Sequence, residues 1–221
     1  MQEQETLQPL SGSQREMLNE ATKLYEGAPT ADAARWLLAR GLTTETIATF
    51  RLGVVGNDPF PGHGNHRGRI VIPYLDKDGL PLKLRFRCIE QHDHRELFHG
   101  KYNSVTGDPS RVFNVRAIHQ AEDEIHVCEG ELDAMILNQI GLPAIAIPGA
   151  HTWAPYMRRM LAGFNRVWLW TDPDDAGSEL MNTMMRAMRQ AKPARLKGGD
   201  VNDTYLAGGA DALLALVREG A

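Results

Sequence analysis

A chain of 221 residues, 43% hydrophobic and 24% charged, can bury a core as one large domain or two small ones. Its formal net charge of −4 excludes a global basic signature, so any nucleic-acid contact has to come from a local patch. No apolar run approaches the roughly 20 residues of a membrane-spanning helix, and the start MQEQETLQPLSGSQ lacks the basic and apolar regions of a leader, so a cytoplasmic protein without a membrane partner is expected.

Residues 1–13 are polar and read as loose. QREMLNEATKLYEG then places Met17, Leu18, Ala21, Leu24 and Tyr25 on one helical face, with Gly27 as the stop. A second helix is capped by Thr30 and ended by Gly41, and a third begins near Thr43 or Thr44. GNDPFPGHGNHRG is a loop by composition. It opens into RIVIPYLDKDGLPLKLRFRCIE, two strands joined at Lys77-Asp78-Gly79. Period-2 alternation puts Leu82, Leu84, Phe86 and Cys88 on a core face and Lys83, Arg85 and Arg87 on a basic stripe.

Residues 91–110 are polar and turn-rich. Thereafter strands alternate with helices: IHVC, a helix over 131–140, AIAI, the loop PGAHT, a helix around 153–161, RVWLW, a helix after Asp175, ARLK, and a last helical region. That rhythm predicts a parallel sheet covered on both faces, with ligands beyond the carboxyl ends of its strands. Trp168 and Trp170 share a strand face and belong to the core.

Glu129 follows the first of these strands, Asp172, Asp174 and Asp175 follow RVWLW, and Asp200 and Asp203 follow ARLK. Like charges gathered at one sheet edge repel unless a cation sits between them. Oxygen donors without His or Cys select Mg²⁺ or Mn²⁺, and five or six acids leave room for two ions. Asp175, Glu131 and Glu179 also suit a helix first turn, and Asp203 an N-cap. Glu129, Asp172 and Asp174 have no capping role that needs all three. Gly177, Gly198 and Gly199 are expected to let backbone approach a bulky anionic ligand.

Cys88 and Cys128 show no CxxC spacing and read as buried small hydrophobes. His92 and His94, with His99, match no familiar zinc pattern and read as surface loop, so no zinc is expected in this chain. Between Arg67 and Arg87 lie six Lys or Arg and two acids, Asp76 and Asp78, both in the turn. Arg67, Arg69, Lys83, Arg85, Arg87 and Lys101 are candidates for template or nucleotide phosphates, set against a solvated sheet face, and Tyr102 for stacking on a base.

VCEGELDAM, LWTDPDDAGSELM and KGGDVNDTYL resemble, in order, the three acidic motifs of the TOPRIM domain. AARWLLARGLTTETIATFRLGVV is similar to the helical start of the bacterial DnaG-type primase core, RGRIVIPYLDKDGLPLKLRFR to its basic hairpin, and GKYNSVTGDPSRVFNV to its Lys-Tyr-Asn-Ser segment. The acidic motifs are closer still to phage helicase-primases. The resemblance covers residues 30–208. It implies an α/β protein in which a smaller α+β subdomain with a basic hairpin (1–116) precedes a TOPRIM parallel-sheet domain (117–221).

The activity it implies is metal-dependent RNA primer synthesis on single-stranded DNA from ribonucleoside triphosphates, in the host cytoplasm if phage-encoded. By resemblance Glu129, Asp172 and Asp174 carry the essential acid roles as catalytic groups and metal ligands. Asp133, Asp200 and Asp203 support them, and Lys101, Tyr102 and Asn103 belong to the nucleotide- or template-binding segment. A metal-ligand and a proton-transfer role for Glu129 both remain open. Neither the zinc-binding module nor the helicase or helicase-binding module that flanks the core in the family is expected in this chain, so the resemblance implies a separate zinc-binding subunit and a replicative helicase as partners. Two rivals use the same residues: a TOPRIM-type nuclease, and a non-catalytic nucleic-acid-binding subunit.

Overall fold

The computed structural model describes residues 8–27, 30–94, 96, 100–105, 107–147 and 152–220. His99 and most of the PGAHT loop lie outside them. The chain forms two compact units, one of residues up to Ala33 together with Ala48–Arg111, the other of Ala34–Ile47 together with Val112–Ala221. A single cut at residue 116 therefore does not describe the division, because the segment 34–47 packs with the C-terminal unit. Gln139 explains why. Its Oε1 accepts from Thr43 N at 2.8 Å and Thr46 Oγ1 at 2.7 Å, while its Nε2 donates to Gly41 O at 2.9 Å and Tyr205 Oη at 3.1 Å.

In the first unit, α1 (Gly12–Tyr25) starts at a Ser11–Gln14 capping box. It buries Ala21, Thr22 and Tyr25, while Met17 and Leu24 stay about half exposed at 53% and 51%. The apolar face is thus rotated from the sequence expectation, because Thr22 returns its hydroxyl to Leu18 O at 2.7 Å and can enter the core. Next come α2 (Ala31–Ala39), capped by Thr30, and α3 (Thr44–Thr49), capped by Thr43.

Strands β1 (Gly53–Val54), β2 (Ile70–Leu75), β3 (Pro81–Arg87) and β4 (Tyr102–Ser104) form an antiparallel sheet in that order. Asp76 Oδ1 closes the β2–β3 turn by accepting from Asp78 N and Leu80 N, at 2.9 and 3.0 Å. Leu84 and Phe86 pack on Ala21 and Tyr25 of α1. The GHGNH loop folds inward: His66 stacks on Phe86 with ring centroids 4.0 Å apart, and His63 Nδ1 pairs with Tyr25 Oη at 3.0 Å.

The second unit continues with α4 (Arg116–Gln120), β5 (Glu124–Cys128), α5 (Glu131–Gln139), β6 (Ala144–Ala146), α6 (Pro155–Leu161), β7 (Arg166–Trp170), α7 (Asp175–Ala187), β8 (Ala191–Pro193) and α8 (Val201–Glu219). The four strands are parallel in the order β6-β5-β7-β8. The last strand precedes the expected ARLK run. It ends in a proline, which an edge strand tolerates because one side of its ladder has no partner.

Ile125, Val127, Val167 and Leu169 supply one face of this sheet to the aliphatic core. On the opposite face Trp168 and Trp170 are buried, and their indole N–H groups donate to Glu124 Oε2 at 2.8 Å and His126 Nδ1 at 2.9 Å. Burial drives the His126 pKa down to about 3, so the ring is neutral. Below the ordinary pKa of 6.5 the unfolded chain gains a proton there that the fold refuses. Stability is therefore expected to fall by about 1.4 kcal/mol per pH unit from that point down towards pH 3, where it levels. Denaturation of wild type against His126→Asn, which keeps an acceptor for Trp170, checks this: the wild type should be the more acid-sensitive of the two.

Candidate active site

The order β6-β5-β7-β8 reverses direction between β5 and β7. At such a switch point the loops leaving two neighbouring strands part in opposite directions and open a crevice. Glu129 leaves β5 and Asp172 leaves β7 on either side of it, and the two strands are in register up to Cys128 beside Trp170. Glu129 Oε1 accepts the backbone N–H of Asp172 at 3.0 Å. Asp174 is the N-cap of α7 and accepts from Gly177 N at 2.7 Å. Asp174 thus also serves as a helix cap, which leaves in place the sequence reading that no capping role needs all three acids.

Gly177 joins the three acids. A Cβ there would lie 2.3 Å from Asp172 O and 2.5 Å from Glu129 Oε1, so only a glycine lets the first turn of α7 approach both. Beside the expected approach to a bulky ligand, this glycine has a nearer duty: it makes room for the acids themselves.

A second group lies around Asn202. Asp133, in the first turn of α5, is 8% exposed and accepts from Asn202 N at 3.1 Å. Asn202, 2% exposed, pairs through its side chain with Arg40 O and Arg40 Nη1. Asp200 caps α8 and shares a capping box with Asp203, whose N–H donates to Asp200 Oδ1 at 2.7 Å. Asp203 is exposed and faces its own helix start. Glu131 is the first residue of α5 and is buried, at 1% exposed. Asp175 and Glu179 are exposed.

Electrostatics tie the two groups together. Burial raises the Glu129 pKa, with the Asp172 and Asp174 charges adding to it and the Asp172 amide opposing. Asp133 is pushed well above the usual carboxylate range by burial and then by Asp200, Asp172 and Glu131, against the Asn202 amide. Beneath them the buried Cys128 thiol is raised by desolvation and then by Asp133, Asp172 and Glu129. Thr171 Oγ1, just before Asp172, is buried without a hydrogen-bond partner.

This edge concentrates carboxylates that raise one another's pKa. Among the described residues no three of its acids bring one carboxylate oxygen each within 4.8 Å of one another, so the side chains as placed do not form the converged ion site that the sequence reading expects. A hard divalent ion fits the oxygen-only donor set and would lower the repulsion by drawing the side chains inward. Asn202 is the site residue that sequence reasoning missed: its signal was adjacency to the acidic motifs, but its contacts, to Asp133 and Arg40, lie far away along the chain.

The basic candidates, all in the first unit, are less open than a solvated stripe. Lys83 and Arg87 are buried at 7% and 5% exposed, and Lys83 Nζ donates to Pro109 O at 3.0 Å. Arg69 is buried and donates to Gly100 O at 2.9 Å. Arg85 and Arg87 place their guanidinium groups 4.4 and 4.5 Å from the centre of the Tyr102 ring. Tyr102 therefore serves its own sheet before any base. Arg67 is exposed and donates to Asn57 O and Gly64 O, Lys101 is exposed, and Asn103 is half-buried on β4.

A family profile described as Toprim-like matches residues 126–205. The Gene 57 protein of Mycobacterium phage D29 is 28% identical over 154 residues, which cover 67% of this chain and 97% of the phage protein. The RNA polymerase domain of Mycobacterium tuberculosis primase DnaG superposes with a TM-score of 0.76 at 20% identity, covering 94% of this chain and 84% of that one. The Aquifex aeolicus primase, in a structure of its zinc-binding and RNA polymerase domains, superposes with a TM-score of 0.75 at 18% identity. That match covers 98% of this chain, which spans 64% of the Aquifex chain.

Proposed function

We propose that this chain, a TOPRIM protein with the fold of the DnaG-type primase catalytic core and a phage relative, makes short RNA primers on single-stranded DNA. The observation that carries the reading is the pairing of Glu129 and Asp172 across the β5/β7 switch point, with carboxylates held in mutual repulsion. Glu129, Asp172 and Asp174 would hold Mg²⁺ or Mn²⁺, two ions in the fullest form, with Asp133, Asp200 and Asp203 in support. Such ions supply neutralisation of triphosphate charge and activation of the attacking 3′-hydroxyl.

The remaining steps belong to the chain itself. The Asp172 amide orients Glu129 through Oε1, and the Asn202 amide orients Asp133. Gly177 N holds Asp174 at the start of α7, so these backbone contacts limit how far the side chains have to move when an ion and substrate arrive. Arg67, Arg85 and Lys101, less buried than Arg69, Lys83 and Arg87, are the first candidates for template or nucleotide phosphates. The buried three hold β3 and β4 in place behind them, and Tyr102 and Asn103 border them on β4. A zinc-binding subunit and a helicase are the proposed partners for template choice and delivery.

Incubation with labelled ribonucleotides, varied single-stranded templates and Mg²⁺ or Mn²⁺, alone and with a zinc-module partner, tests the reading. Labelled oligoribonucleotides are expected. Absence of incorporation under every condition rejects it, and shortening of the DNA instead would favour the nuclease.

A further inference from the structure

The connection between β3 and β4, residues 88–101, carries no helix or strand among its described residues and is long for a hairpin loop. Its ends are firmly set: Cys88 N donates to Lys101 O at 2.9 Å, one step past both strands. From that anchor the chain turns back so that Cys88, His92 and His94 gather their donor atoms within 4.8 Å of one another. Cys88 Sγ lies 3.8 Å from His92 Nε2, and His92 Nε2 lies 3.0 Å from His94 Nδ1.

In a tetrahedral zinc site with ordinary bond lengths, neighbouring sulfur and nitrogen ligands are about 3.6 Å apart and two nitrogens about 3.3 Å apart. The observed edges differ from these by a few tenths of an ångström. A second observation concerns the far side of the ring: His92 Nδ1 lies 3.4 Å from Glu90 Oε2. A carboxylate on that side favours the Nδ1–H tautomer, in which Nε2, the atom facing Cys88 and His94, carries the lone pair, the arrangement that supports a metal-bound histidine.

We infer that Cys88, His92 and His94 form a binding site for a borderline-soft divalent ion of the zinc class, pinning the loop that joins β3 to β4. One thiolate and two imidazoles select such an ion over Mg²⁺ or Mn²⁺, which take oxygen donors. The thiol proton passes to solvent as the Sγ–metal bond forms, and a donor outside the trio completes the tetrahedron. The spacing Cys-x₃-His-x-His escapes sequence rules because the cysteine comes from a strand end and the histidines from the returning loop. The site stands apart from the acidic edge in residues and in chemistry, so it does not depend on the primase reading.

Cobalt titration of the metal-free chain, purified without a histidine tag, tests it. About one equivalent of Co²⁺ should produce a thiolate-to-cobalt charge-transfer band and tetrahedral visible bands, both displaced by Zn²⁺. Cys88→Ser should remove the charge-transfer band, and His92→Ala with His94→Ala should weaken binding by at least ~10-fold, with circular dichroism reporting that the fold persists. His94→Ala alone, at a half-buried position, provides a variant with little risk to folding. Glu129→Gln and Asp172→Asn should leave the bands intact whether or not the chain makes primers. A wild type without the thiolate band, or bands unchanged in the histidine variants, would overturn the inference.

Discussion

Glu129→Gln is expected to cripple function while improving the metal-free fold. Gln keeps the Oε1 acceptor for the Asp172 amide and the size that fits beside Gly177, but it removes the charge that burial, Asp172 and Asp174 penalise. A carboxyl whose pKa is raised by folding binds its proton more tightly in the native state. Metal-free stability thus falls as pH rises from the ordinary value of 4.5 through the raised one. At neutral pH the variant should therefore melt at or above the wild-type temperature, with a flatter pH dependence. Primer synthesis should drop by roughly 10²–10³-fold, the scale of losing a contact worth several kcal/mol in the transition state. Calorimetry and incorporation assays on the same preparations check both halves; a variant that loses activity only because it melts early would contradict the assignment.

Gly177→Ala is the second large effect, and it strikes stability and activity together. The new methyl would sit 2.3 Å from Asp172 O and 2.5 Å from Glu129 Oε1, so α7 has to move away from the switch point. Overpacking of this kind costs about 1–3 kcal/mol. The shift also uncouples Asp174 from Gly177 N and separates it from Glu129, so primer synthesis should fall as far as in the acid variants. Chemical denaturation together with the incorporation assay measures the two losses. Ala176→Gly, one residue earlier on the exposed side, is the matched control and should keep activity.

How much of this could be read from the residues depends on the range of the interaction involved. The βα rhythm, the helix starts at Thr30 and Thr43, and the Asp76 turn are local, and each appears in the fold where hydroxyl or carboxylate meets a nearby amide. The acids after β5 and β7 were legible as well, because strand ends of a parallel sheet share an edge. The duty of Gly177 was not, since it is set by two atoms belonging to other loops. Nor was the burial of Lys83 and Arg87, because alternation assigns a face but does not say what covers it. The packing of residues 34–47 with the second unit rests on Gln139 and Asn202, about 100 and 160 residues away along the chain. Cys88 joined to His92 and His94 belongs to the same class: the local spacing argued against a metal, and the path of the chain argues for one.

The central claim, that Glu129 and Asp172 serve a shared divalent ion, is tested most directly by Mn²⁺ titration followed by electron paramagnetic resonance. The account predicts that the wild type binds Mn²⁺ more tightly as pH rises and the raised carboxyls lose their protons, and that Glu129→Gln with Asp172→Asn weakens binding by at least ~10-fold. Equal Mn²⁺ binding by the wild type and the folded double variant would contradict it.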